Sequence, residues 1–331
     1  MASSKHLRQI FQSAKLGDKD SFQKVAEEII QEEREKQHHL LANDLEEILY
    51  GKVSKVMPFQ ILKEEIPLDK ERNLPLLTVQ TATRSLTDIV LTEETISDVE
   101  RILLENRKSE VLKSYGLKPI DKILFYGPPG CGKTITAEAI AFELELPFVV
   151  IRIDSIVSSF LGETSANLRK VFDYIHKNRM VVLFDEFDAL GRERSDTSEH
   201  GEIKRVVNAL LQMFDNYKGN SILIAATNHE ATLDSAVWRR FEEVLEFNLP
   251  DNNQIKKLLE MKLRGVRRNF KKEIQLIAPY FKQMSHADIE RIIRRAIKDM
   301  ILQGREFLED KDIDNSLLNE KSRNRNSKKR K

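Results

Sequence analysis

Apolar positions between about residues 120 and 248 alternate between two spacings. Short apolar runs, KILFYG, PFVVIRI, MVVLFDE, SILIAATN and EVLEFNL, predict five strands. Between them, apolar residues recur at helical spacing: Ala137, Ile140, Ala141 and Leu144, then Leu168, Val171, Phe172 and Ile175, then Ile203, Val206, Val207, Leu210, Leu211 and Phe214. Strands alternating with helices of this length predict an α/β domain. Its five-stranded, mainly parallel sheet is sandwiched by helices. After Pro250 only helical spacing remains. Ile289, Ile292, Ile293, Ala296, Ile297 and Met300 form one stripe. This predicts a small all-helical C-terminal domain.

The flanking segments are less regular. Residues 1–51 read as a helical module, with Ile29, Ile30, Leu40, Leu41, Leu45, Ile48 and Leu49 as its apolar positions and Gly51 as its stop. Residues 52–85 carry Pro58, Pro67 and Pro75 and read as a linker with a short strand or two. Residues 92–116 read as one helix. The α/β domain is therefore expected over 86–249 and the helical domain over 250–320. Residues 321–331, with seven basic side chains and no apolar one, are expected to be disordered.

Composition narrows the classes. The 331 residues carry 54 Lys and Arg against 53 Asp and Glu, so net charge offers no argument for nucleic acid as a partner. No apolar run is long enough to span a membrane, and the opening MASSKHLRQIF has no signal core. One cysteine excludes an internal disulfide framework, and a cytoplasmic location is expected. His38 and His39 are adjacent and point apart on a helix, so no metal site is expected there.

Residues 127–134, GPPGCGKT, fit the spacing G-x-x-x-x-G-K-[ST] between a strand and a helix. That spacing predicts a phosphate loop. Backbone N–H groups between Pro129 and Thr134, through Gly130, Cys131 and Gly132, would wrap nucleotide phosphates, helped by the positive end of the following helix. (Pro129 itself marks the start of the wrap and has no N–H.) Lys133 would reach the β- and γ-phosphates of ATP, and Thr134 would coordinate Mg2+. Cys131 lies within the loop, so alkylating it is expected to block nucleotide binding. About fifty residues on, VVLFDEFDAL sets Asp185 and Glu186 at the carboxyl end of a strand, where α/β sheets bind ligands. Asp185 would hold Mg2+, mainly through water, and Glu186 would activate the attacking water as general base. Asp188 is expected to orient neighbours or pair across subunits. Asn228 ends the strand SILIAATN and could orient water near the γ-phosphate.

Taken in order, GPPGCGKT, LFDEFDAL, AATN, LDSAVWRRF and SHADIERIIRRA resemble the AAA family of ring-forming ATPases, within the AAA+ superfamily, over about residues 86–318. The resemblance implies a P-loop NTPase with a helical lid and a ring, expected to be a hexamer. It implies that Arg239 and Arg240 reach the γ-phosphate of a neighbouring subunit, with Glu242 and Glu243 as their partners in an isolated subunit. Phe160, Leu161 and Gly162 match the family's pore loop, which grips an extended polypeptide, and residues 191–202 would form a second pore-facing loop. Ile89 and Val90 would contact adenine. SHADI departs from the family's SGADI, placing His286 and Ala287 against adenine or ribose. The short helical leader resembles single-module bacterial members, some of which are encoded beside a subtilisin-like serine protease and act in phage defence. The expected function is ATP hydrolysis coupled to remodelling, unfolding or threading of a protein. The alternatives are an ATPase subunit serving a separate effector such as a serine protease, and a nucleic-acid motor or loader.

Overall fold

The protein is seen as a computed structural model that describes residues 6, 13, 19–35, 45, 65–69, 73–153, 164–190, 197–229, 235–271 and 273–328. They fall into two compact units. One comprises Met57–Ile255 and Lys282–Ala287; the other draws on Met1–Val56, Lys256–Phe281 and Asp288–Lys331.

In chain order the elements are α1 (Lys19–Glu35), β1 (Thr78–Gln80), α2 (Glu93–Arg107), α3 (Ser109–Ser114), β2 (Lys122–Tyr126), α4 (Lys133–Glu143), β3 (Phe148–Arg152), α5 (Thr164–Lys177), β4 (Val181–Asp185), α6 (Thr197–Asn216) and β5 (Ile222–Thr227). They continue with α7 (Ser235–Trp238), β6 (Glu243–Glu246), α8 (Asn252–Lys262), β7 (Arg268–Asn269), α9 (Ile274–Ile277), α10 (His286–Leu302), β8 (Leu308–Glu309) and α11 (Asp310–Lys328).

The main sheet runs β1-β3-β4-β5-β2-β6. The five strands expected from the apolar runs are all present and parallel. Alternate residues feed opposite faces. Val182 and Phe184 pack with Leu168, Val171, Leu210 and Phe214 of α5 and α6. Val181 and Leu183 pack with Val99, Ile102, Ala137 and Ile140 of α2 and α4. With both faces covered, these strands have no solvent side, so they read as unbroken apolar runs. Each such side chain contributes about 1.5–3 kcal/mol through burial.

The sheet has a sixth strand beyond the five expected. β1 comes from the proline-rich linker and pairs antiparallel with β3. Its approach is pinned where Asn167 Nδ2 donates to Asp69 Oδ2 at 3.0 Å and Lys170 Nζ donates to the Leu68 carbonyl at 3.1 Å. A short strand or two is expected in this linker; three residues with only Val79 partly buried carry too little periodicity to fix its position. The single helix expected over 92–116 is two, with the break at Lys108.

In the second unit, the α10 stripe of Ile289, Ile292, Ile293, Ala296 and Met300 is buried as its spacing predicts. The helical domain is not purely helical, because β7 and β8 form a short parallel pair. Helix α11 continues through the segment expected to be disordered, as far as Lys328. Its first turns are fixed by side chains: Arg305 grips Asp312 with two bonds, at 2.6 and 2.8 Å, and Arg291 donates to Glu320 at 2.7 Å.

Candidate active site

β2 ends at Tyr126 and the chain turns at once into the GPPGCGKT loop, with α4 beginning at Lys133. Two glycines make this path possible. Gly127 has φ +129°, and a Cβ there would collide with the Phe247 carbonyl at the end of β6. Gly130 has φ +77°, and its Cβ would sit 2.7 Å from Ser285 Oγ and 3.0 Å from Ala287 Cβ. The segment 285–287 is docked on the loop, with the Ala287 N–H donating to the Gly130 carbonyl at 3.0 Å.

Lys133 is only 7% exposed, and its Nζ donates to the carbonyls of Gly127 (2.6 Å) and Pro128 (2.9 Å). Burial lowers its pKa, opposed by the negative charges of Cys131, Asp185 and Asp188 nearby. Thr134 is exposed in the first turn of α4. Cys131 is 2% exposed, with Sγ 3.9 Å from the Pro129 carbonyl, so an alkylating reagent reaches it only when the loop opens.

The two acids lie at the end of β4, the strand that pairs with β3 and β5. Asp185 Oδ1 accepts the Glu186 N–H at 2.9 Å. Glu186 adopts φ +55°, a conformation that costs a non-glycine residue roughly 1–2 kcal/mol and that turns its side chain out of the strand path. Arg152, opposite Asp185 in the β3–β4 register, lies 3.8 Å from Glu186 Oε2. Asp188 is 2% exposed, and its Oδ1 is 3.5 Å from both Thr227 Oγ1 and the Asn228 N–H. It thus helps to hold the end of β5, where Asn228 is half-buried.

The arginine pair lies between Trp238, which packs edge-on against Tyr126 at the end of β2, and Phe241, which packs edge-on against Phe187 just beyond β4. The Glu242 N–H donates to the Lys122 carbonyl at 3.0 Å, placing Glu242 beside the start of β2. The phosphate loop follows the end of β2, about 13 Å away at roughly 3.3 Å per residue. Arg240 Nε donates to Asp215 Oδ2 at 3.0 Å, and Arg239 is exposed. The expected partners are otherwise engaged. Glu242 accepts the Asp121 N–H at 3.1 Å, and Glu243 pairs with Arg101. Asp215 is within reach because Phe214 and Phe241 pack edge-to-face with ring centroids 5.7 Å apart, drawing their sequence neighbours together.

Ile89 and Val90 are half-buried, and Ile89 packs on the core cluster that includes Leu91 and Cys131. His286, beside the docked Ala287, has both ring nitrogens buried without a hydrogen-bond partner, and burial lowers its pKa. A buried nitrogen without a partner costs roughly 1–3 kcal/mol, a cost that a ligand's polar group next to the loop would relieve. Phe160, Leu161 and Gly162 lie outside the described residues, as do 191–196 of the second loop; α6 begins at Thr197. Among the described residues no group of three His, Cys, Asp or Glu side chains could hold a metal. A cation at Thr134 and Asp185 would therefore complete its shell with phosphate oxygens and water, which is the ordinary habit of Mg2+ with nucleotides.

Sequence reasoning missed Arg152 and Asp215. Arg152 carried a signal, a charge ending an otherwise apolar strand. Asp215 carried none, since only the aromatic contact makes it a neighbour of Arg240.

The family described as ATPase family associated with various cellular activities (AAA) matches residues 123–249, from β2 past β6. An uncharacterized AAA family ATPase of Sinorhizobium fredii is 38% identical over 311 residues, covering 94% of this chain and 93% of that relative. This chain belongs to the AAA family. As an AAA ATPase it binds and hydrolyses ATP. Proteasome-activating nucleotidases of Pyrococcus furiosus and Thermococcus onnurineus are 34% and 32% identical, over 67% and 76% of this chain. The AAA chain spans 59% and 65% of their respective lengths. Among the described residues no helix is long and apolar enough to cross a membrane.

Proposed function

We propose that this AAA ATPase works as a ring, a hexamer, that couples ATP hydrolysis to remodelling, unfolding or threading a protein partner. In this reading the loop from Pro129 to Thr134 holds the phosphates, and Thr134 and Asp185 hold Mg2+, which screens phosphate charge. Glu186 takes a proton from the attacking water, and Asn228 orients that water. Ile89, Val90, His286 and Ala287 surround the nucleoside.

One observation carries the ring. Arg239 is exposed, where a neighbouring subunit could receive it, and Arg240 is paired with Asp215 within this subunit. A cation stabilises the charge that develops during phosphoryl transfer, and here a neighbouring subunit would supply it. A protein as the object of the work is supported by the likeness to proteasome-activating nucleotidases. Phe160→Ala tests the threading step. The variant should keep its ATPase rate and lose processing of a protein substrate; processing at the wild-type rate would count against a pore-loop role.

A further inference from the structure

A cavity of about 350 Å³ opens where β2, β4 and β5 begin, at the end of the sheet away from the phosphate loop. Lys113, Lys118, Arg179 and Lys218 line it, against Glu110 and Asp121. Each carboxylate has a lysine beside it, although Lys122 also lies 3.9 Å from Glu242. Glu110 pairs with Lys113 at 3.0 Å, and Asp121 pairs at 3.2 Å with Lys122, which lies outside the lining. Among the described residues Arg179 and Lys218 make no ion pair.

These cations stand on a fixed frame. Ser221, fully buried, donates from Oγ to the Asn178 carbonyl at 2.6 Å and accepts the Met180 N–H at 3.0 Å, so Arg179 sits between two anchored residues. The Ser221 N–H donates to Tyr217 Oη at 2.9 Å, closing the turn that carries Lys218. The segment carrying Lys118 is held where buried Asn106 donates to the Ile120 carbonyl at 3.0 Å and Glu105 accepts the Ile120 N–H at 3.0 Å. Between Lys113 and Lys118 the chain exposes Tyr115 (79%) and Leu117 (57%). An arrangement held this way needs little reordering to bind.

We propose that this cavity docks an acidic, partly apolar segment of a protein partner. Lys118, Arg179 and Lys218 receive its carboxylates, and an apolar side chain lies on Tyr115 and Leu117. Cations spread over three loops, with exposed Tyr115 and Leu117 in the turn between two of the lining lysines, suit a chain of carboxylates better than a single compact anion.

The test uses the full-length protein and a short fluorescein-labelled peptide of repeating Glu-Glu-Leu, read by anisotropy at low ionic strength and at about 0.3 M salt, where screening is strong. Wild type should bind the peptide, more weakly at high salt. Arg179→Glu with Lys218→Glu should weaken binding about tenfold or more and flatten the salt dependence, with the ATPase rate unchanged. Tyr115→Ser with Leu117→Ser should weaken binding and keep the salt dependence. The proposal is overturned if wild type fails to bind, if the charge reversal binds as wild type does, or if inorganic phosphate at matched ionic strength displaces the peptide completely.

Discussion

Lys133 holds a charged amine in a mostly buried place, and that choice has a measurable signature. With its pKa lowered in the folded protein, the unfolded chain binds more protons between that lowered value and the ordinary lysine value of 10.5. Stability of the nucleotide-free protein should therefore rise with pH across that window through this group. Lys133→Met should lack that rise, so the wild-type-minus-variant difference in denaturant midpoints should climb with pH; a flat difference would contradict the burial argument. Glu186→Gln should still bind ATP and should lower turnover by at least about 100-fold, the scale of general-base catalysis. Steady-state phosphate release and equilibrium ATP binding check this, and undiminished turnover would remove Glu186 from its role. These residues were legible in the sequence because their chemistry depends on local spacing. The hold of Asp188 on Asn228 and the contact of Arg152 with Glu186 were not, since both arise from strands side by side.

At the scale of elements, the phosphate loop is shaped as much by what docks on it as by its own sequence. Gly116 and Gly130 make a controlled comparison. Both have a left-handed backbone, with φ +75° and +77°, but a Cβ meets nothing within 4 Å at Gly116 and meets Ser285 and Ala287 at Gly130. Gly116→Ala should cost about 1 kcal/mol, the backbone penalty alone, and leave ATP affinity unchanged. Gly130→Ala should cost more and weaken ATP binding, because it pushes the 285–287 segment off the loop. Chemical denaturation and ATP titration of both variants check the difference; equal effects would mean that the docking is irrelevant to binding. The five parallel strands were readable because burial on both faces leaves an unbroken apolar run. β1 was expected only as a short strand somewhere in the linker, and β7 and β8 were not read at all, because each is three residues or fewer and is defined by its partner. The end of α11 was misjudged for a related reason. A lack of apolar residues removes the helical signal without forbidding the helix backbone.

At the scale of the molecule, the chain carries a nucleotide loop after β2 and, some hundred residues later, an arginine pair of which Arg239 is exposed. The arginines could be picked out only through the family resemblance, and their partner Asp215 only in three dimensions. If each site is completed by the next subunit, two different defects should compensate. Arg240→Ala subunits keep the loop and lack the cation; Lys133→Ala subunits keep the cation and lack the loop. Each alone should be nearly inactive. Mixed in equal amounts in a ring that exchanges subunits, about a quarter of the interfaces would pair an intact loop with an intact arginine. The decisive measurement is the ATPase rate of that mixture. The account predicts recovery towards a quarter of the wild-type rate, and a mixture no more active than its separate components would contradict it.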